Sequence, residues 1–307
     1  DATGVPATMS RPIITGLLRE ELGFDGLIVT DALDMRGASE DFPPDVAPVR
    51  ALQAGCDQLV LAPEMDVAFG AVLDAVKNGT ISEERVDASV RRVLLHKLRR
   101  GLFHPYVRPE RAVQVVGKRR HQEVCRQITD DTITLVRNEG GLLPLAGGTA
   151  RKVVVAGWGS STTATLADAI SARDGQTATR VYTGAVPSSA TIDAACAAAR
   201  DADLVVVTAN AAAAGGEKGA AQAKLVESLR ATGTPVVVAA VRNPYDVQRY
   251  PDVQAYLATY SYTVPSLQSL ARVLYGDVDP VGKLPVSIPV WDDPDSTLYP
   301  FGHGLGY

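Results

Sequence analysis

The chemistry in this sequence starts with carboxylates placed where a carboxylate is awkward. In IVTDALDM, residues 28–35, an apolar run leads straight into Asp31, and Asp34 follows after Ala-Leu. An uncompensated buried carboxylate is costly, so packing alone does not explain an acid there. Two readings of Asp31 stand side by side: a carboxylate that caps a loop or helix, or a reactive group fixed at the end of a strand. In parallel α/β structures functional groups gather at the carboxyl ends of strands. Asp34 reads as a loop-solvating or capping carboxylate, and Asp57, in AGCD, as a hydrogen-bonded structural one. His96, His104 and His121 fall on or beside helical surface stretches without catalytic spacing, and His303, in FGHGLGY, reads as structural. Cys56, Cys125 and Cys196 lie far apart with no CxxC and no His at ligand spacing. They imply neither a metal site nor a disulfide framework, and read as small buried hydrophobes.

The elements that must position these groups alternate. Ser10 can cap a helix with Pro12 in its first turn, Ile14, Leu17, Leu18 and Leu22 on one face and Gly23 at its end. Asp25-Gly26 turns into Leu27-Ile28-Val29, a continuous apolar run of the kind buried on both faces of a parallel sheet. A helical stretch near Val46 to Ala54 leads to a second strand, Gln58 to Ala62, and a helix from about Met65 to Lys77 follows. The next helix, Ser82 to Arg100, has a cap at Thr80 or Ser82, acids in its first turn, bases in its last, and an apolar stripe of Val86, Val90, Val93, Leu94 and Leu98. Residues 102–110 read as a linker and 110–130 as a polar helix before ITLVRN, another strand. From Arg151 the alternation restarts. KVVVAGWG, TRVYTG, ADLVVVTAN, TPVVVAAV and VQAYLATY are strands separated by Ala-rich helical stretches, a doubly wound α/β unit. The first part has only two convincing strands, too few to close a barrel, and reads as the tail of a larger parallel structure.

Composition narrows the classes. The chain has 307 residues, room for two domains, and 46% apolar residues suit a globular protein. A net charge of −5 without a basic run excludes a nucleic-acid footprint. No stretch of eighteen or more apolar residues provides a membrane span. The opening DATGVPATMS, with no initiator Met, points to a removed segment or a longer chain. VVVAGWGSS follows a strand as a dinucleotide loop would, but Gly157 and Gly159 are followed by Ser-Ser-Thr-Thr and the third glycine of the fingerprint is missing.

VPATMSRPIITGLLREELGFDGLIVTDALDM resembles the segment around the nucleophile of family 3 glycoside hydrolases, more narrowly the β-N-acetylhexosaminidase branch. AGCDQLVLAP, RVLLHKLRRGLF, TLVRNEGGLLPL, RNPYDV, GKLPVSIP and the terminal YPFGHGLGY extend the likeness along essentially the whole chain, in the family's order. The resemblance implies the C-terminal part of a (β/α)8 barrel, incomplete, over residues 1–101. A linker and connecting helix over 102–131 and the family's C-terminal α/β sandwich over 132–307 would follow. It implies that Asp31 is the catalytic nucleophile of a retaining enzyme, and that no cofactor is needed. The expected substrate is a carbohydrate, terminal β-linked N-acetylglucosamine on cell-wall-type glycans. The expected partner is the missing N-terminal barrel half of the same polypeptide. In that branch the acid/base is a His held by an Asp in a KHFPGHG-like motif, and no such motif occurs here. In β-glucosidase members a Glu of the sandwich domain serves instead. Glu217, in AAAAGGEKGA, comes roughly where that Glu would, and otherwise reads as a solvated loop residue. Met35 would line the sugar pocket or pack under its loop, and Arg11 and Arg50 would approach an anionic muramyl group or stay solvated. A β-glucosidase-type enzyme and a non-catalytic carbohydrate-binding or interface module are the alternatives.

Overall fold

The computed structural model describes residues 4–104, 108–145, 149, 151–210 and 212–307. It divides into two compact units, Asp1–Pro109 and Glu110–Tyr307.

The first unit opens with a 3-10 turn, Ala7–Met9, and a helix, Pro12–Glu21, wound as a π-helix. It continues through strand β1 (Val29–Ala32), the short helix α1 (Arg36–Ser39), α2 (Ala47–Ala54), β2 (Gln58–Val60), α3 (Met65–Lys77) and α4 (Glu83–Arg99). β1 and β2 pair in parallel. Two small cores hold the unit, one of Met9, Leu33, Ala38 and Ala47, the other of Ile14, Ile28, Ala54 and Cys56.

Three details depart from the sequence expectations. The strand begins at Val29 rather than Leu27: at Ile28 the N–H goes to the Asp57 carboxylate (3.0 Å), and only the carbonyl joins the backbone pairing, accepting from the Gln58 N–H at 3.1 Å. Val29 is exposed rather than buried on both faces. In the helix after Ser10, i→i+5 bonds such as Leu22 N–H to the Leu17 carbonyl (2.9 Å) replace the i→i+4 ladder. The expected face forms only in part, Leu18 packing beside Ile14. Ile14 is buried, while Leu17 and Leu22 are exposed.

α4 is capped as expected, with the Ser82 hydroxyl accepting from the Arg85 N–H at 3.2 Å. Only part of the expected stripe is covered, with Val86 and Val93 half-buried. Val90, Leu94 and Leu98 of the apolar stripe are exposed, and the helix's one buried residue is Ser89.

The second unit takes in both helices ahead of ITLVRN, most of α5 (Pro109–Val115) and all of α6 (Arg119–Thr132), which breaks from α5 around Gly117. Asp130 of α6 accepts from Arg272, so the polar helix packs within this unit. The strands are β3 (Thr134–Asn138), β4 (Arg151–Gly157), β5 (Gln176–Tyr182), β6 (Leu204–Ala209), β7 (Val236–Ala240) and β8 (Ala255–Ala258). They form one sheet of order β3-β8-β7-β6-β4-β5, parallel except for β3 at its edge. Helices α7 (Ser160–Ser171) and α10 (Val264–Leu274) cover one face, and α8 (Ser189–Arg200) and α9 (Gly216–Arg230) the other. Strand residues alternate between these layers. Val153 and Val155 pack with Leu166, Ile170 and Leu270, while Val154 and Val205 pack with Ile192, Leu225 and Leu229. The mixed α/β fold expected from the sequence is thus present. A hairpin of β9 (Ile288–Val290) and β10 (Asp293–Tyr299) precedes the C-terminus.

Candidate functional site

Asp31 lies at the carboxyl end of β1, exposed to solvent. One carboxylate oxygen, Oδ1, accepts from the Ala32 N–H at 2.7 Å. Among the described residues Oδ2 accepts no hydrogen bond, so the group presents one held and one open oxygen. The backbone around it is irregular. Between Val29 and Ala32, β1 advances three residues while β2 advances two, from Gln58 to Val60, so Thr30 and Asp31 together oppose Leu59. This is a bulge, uncommon in parallel pairs and a device that re-aims side chains. Val60 closes it on both sides: its N–H goes to the Thr30 hydroxyl (3.0 Å) and its carbonyl accepts from the Leu33 N–H (2.9 Å). Thr30 and Leu33 are buried on either side of the exposed acid.

Below the strand, Asp57 anchors the unit. Its side chain has no exposed surface. Oδ2 accepts from Arg19 and from the Ile28 N–H, and Oδ1 from the Ser89 hydroxyl (2.6 Å) and Arg92 (3.0 Å), with Arg85 at 3.7 Å. Burial pushes this carboxyl up, but the Ile28 and Ser89 hydrogen bonds and the charges of Arg19 and Arg92 outweigh it and hold the group below the usual carboxylate range. The structural role expected for Asp57 is the one its geometry gives. The Arg85, Ser89, Arg92 spacing puts all three on one face of α4, a signal legible in the sequence. Nothing in the sequence singles out Thr30.

The other residues scatter. Met35 is 53% exposed at the start of α1, so it does not pack in a core. It stands four residues beyond Asp31 on the same segment. Asp34 is exposed, and its carbonyl accepts from Ser39 Oγ at 3.3 Å. Arg11 and Arg50 line a cavity of about 590 Å³ with Gln53, Thr80 and Ser82, which Asp31 does not line. Glu217 belongs to the other unit, exposed in the first turn of α9, where a negative side chain suits the helix dipole. Close behind it Gln222 clamps Asn210, accepting from its N–H (3.0 Å) and donating to its carbonyl (2.9 Å), and Lys218 reaches the Asn210 side chain. His303 pairs with the Val136 carbonyl at 2.8 Å and lies against the Tyr299 ring, a structural role. Gly157 of the GWG stretch has φ 125°, and a Cβ there would sit 2.4 Å from the Thr208 carbonyl. Strand packing therefore accounts for that glycine without a ligand. Cys56 and Cys196 are buried, Cys125 is exposed, and burial pushes the Cys56 thiol up to about 11.

Residues 1–95 match the model of the glycosyl hydrolase family 3 N-terminal domain, and residues 133–307 that of the family 3 C-terminal domain. A β-N-acetylglucosaminidase/β-glucosidase of Cellulomonas fimi is 33% identical over 142 residues, 46% of this chain and 25% of the relative. A lysosomal β-glucosidase of Dictyostelium discoideum is 27% identical over 374 residues, spanning 100% of this chain and 45% of the relative. Among solved structures, a family 3 β-N-acetylglucosaminidase from Paenibacillus sp. str. FPU-7 superposes with a TM-score of 0.80 at 30% identity, covering 93% of this chain and 55% of that one. The chain thus spans about half the length, or less, of these relatives.

Proposed function

The chain belongs to glycosyl hydrolase family 3, and on that footing we propose that it carries the nucleophile of a retaining glycosidase, Asp31 being that nucleophile. The substrate is terminal β-linked N-acetylglucosamine on cell-wall-type glycans. The observation that carries this reading is the Asp31 carboxylate at a strand end, one oxygen held by the Ala32 N–H and the other open. A retaining enzyme needs an ionised carboxylate that attacks the anomeric carbon and holds a covalent glycosyl-enzyme intermediate. As Oδ2 attacks, a second group protonates the departing oxygen, then acts as base toward the incoming water. In this reading that group, and most of the sugar grip, lie on the half of a (β/α)8 barrel that completes the β1–β2 pair within the same polypeptide. Likeness to the Paenibacillus β-N-acetylglucosaminidase and to the Cellulomonas fimi enzyme supports the choice of sugar.

A second reading, a β-glucosidase-type enzyme, has its own support. The Dictyostelium β-glucosidase is similar along the entire chain, and Glu217 stands exposed after β6 as a candidate acid/base. Paired assays on an aryl N-acetylglucosaminide and an aryl glucoside separate the two. The role of Asp31 is tested in the complete polypeptide. Asp31→Ala abolishes turnover, and a fluorosugar inactivator labels the peptide that contains Asp31. Unchanged turnover in that variant sinks the assignment.

A further inference from the structure

The strand that delivers Asp31 shifts register against its partner, and a side chain bonds across the shift. At the bulge, Thr30 and Asp31 share the place opposite Leu59. In a regular parallel ladder the Val60 N–H would go to a backbone carbonyl of β1. Here it is offered a side-chain acceptor as well, Thr30 Oγ1 at 3.0 Å. We propose that Thr30 is a positioning residue: its hydroxyl takes the Val60 N–H where the register shifts and so fixes the aim of the Asp31 carboxylate. This rests on the reading of Asp31 as nucleophile.

Four features support it. Thr30 is only 5% exposed, so its hydroxyl is committed to the protein interior rather than to water. A β-branched side chain is stiff about χ1, which makes it a firm acceptor. Leu33 N–H, bonded to the Val60 carbonyl at 2.9 Å, secures the far side, so Asp31 is spanned by two bonds to a single residue of β2. The Asp31 carboxylate is itself held through Oδ1 by the next N–H, at 2.7 Å, so any turn of the backbone at 31–32 passes directly to Oδ2. Without the hydroxyl, the side-chain tie between Thr30 and Val60 is lost and β1 can draw back into regular register with β2. That removes the extra residue, and a one-residue slip turns a strand side chain to the opposite face.

The test uses the complete polypeptide and three substitutions. Thr30→Val keeps the shape and loses the acceptor; Thr30→Ser keeps the acceptor and loses the methyl. Thr30→Ala serves if the valine variant does not fold. Active-site concentration is titrated with the fluorosugar, so that a loss of folded enzyme is not read as a loss of rate. Thr30→Val is expected to lower kcat by about 10–100-fold with KM little changed, the scale for a small misplacement of a reacting group. Labelling of the Asp31 peptide slows in proportion, and Thr30→Ser runs close to the parent. A purely structural threonine would lower the melting temperature and leave kcat per titrated site alone. Parent-like kcat in Thr30→Val, or a Thr30→Ser variant as slow as Thr30→Val, overturns the inference even if Asp31 is the labelled residue. If Asp31→Ala is active or the label lands elsewhere, the nucleophile assignment fails and takes this inference with it.

Discussion

A carboxylate with no exposed surface must be matched by its surroundings, and Asp57 is matched in excess: three guanidinium groups, a hydroxyl and a backbone N–H converge on it. Its bond to Ile28 N–H fixes the base of the strand whose other end is Asp31. Asp57→Asn removes the only charge that balances Arg19, Arg85 and Arg92 within the cluster. Breaking a fully buried pair costs about 3–5 kcal/mol, and partial exposure of these arginines brings the expected loss nearer about 2–3 kcal/mol. The pH dependence follows from the sign of the shift. The folded-state pKa is depressed, so the stabilisation is complete above the unfolded-state value of about 4 and is lost as pH falls through the folded-state value. Thermal melts of parent and Asp57→Asn should therefore differ by a constant amount from neutral pH down to about pH 4 and converge in stronger acid. A difference that closes well above pH 5, or that is absent at neutral pH, would contradict a charge-balancing role.

At the scale of elements, the second unit was written plainly in the sequence. Runs such as VVVAG, LVVVTA and VVVAA become β4, β6 and β7 because strands covered by helices on both faces need apolar residues at every position. Gly157 belongs to that packing. With φ 125° and the Thr208 carbonyl 2.4 Å from where its Cβ would lie, Gly157→Ala must push β4 from β6 or twist the strand end. The expected cost is about 1–3 kcal/mol, read as a lower denaturant midpoint of the chain with an unchanged m-value; an unaffected midpoint would mean that the strands yield without cost. The first unit was less legible, for physical reasons that differ from place to place. Periodicity assumes 3.6 residues per turn, so the π-winding after Pro12 moved Leu17 and Leu22 off the expected face. Asp31 was visible because an acid after an apolar run is conspicuous. The register shift beside it was not, because the side-chain bond across it joins residues 30 apart in sequence. The Asp57 cluster was half visible, as a spacing on α4, while its convergence on one carboxylate is a tertiary fact.

At the scale of the molecule, α4 is the informative element. It docks through Arg85, Ser89 and Arg92 and leaves Val90, Leu94 and Leu98 in solvent, with Leu22, Met65 and Phe69 of the same unit also exposed. Its single strand pair leaves outer edges open among the described residues. Open edges and uncovered apolar surface are the marks of an interface awaiting a partner. The relatives that this chain half covers suggest the partner proposed above, further barrel strands and helices of the same polypeptide. Purified residues 1–307 should then bind an apolar dye and self-associate. They should also turn over an aryl N-acetylglucosaminide about 10²–10⁴-fold more slowly than the complete polypeptide, the usual cost of a missing general acid. Restoring the proposed barrel half should abolish dye binding and recover the rate together, because on that proposal the same segment covers the surface and supplies the acid. If residues 1–307 alone work at the full rate, the acid lies within them. Glu217→Gln then becomes the decisive variant, since Glu217 is the exposed carboxylate after β6 to which the β-glucosidase reading assigns that role.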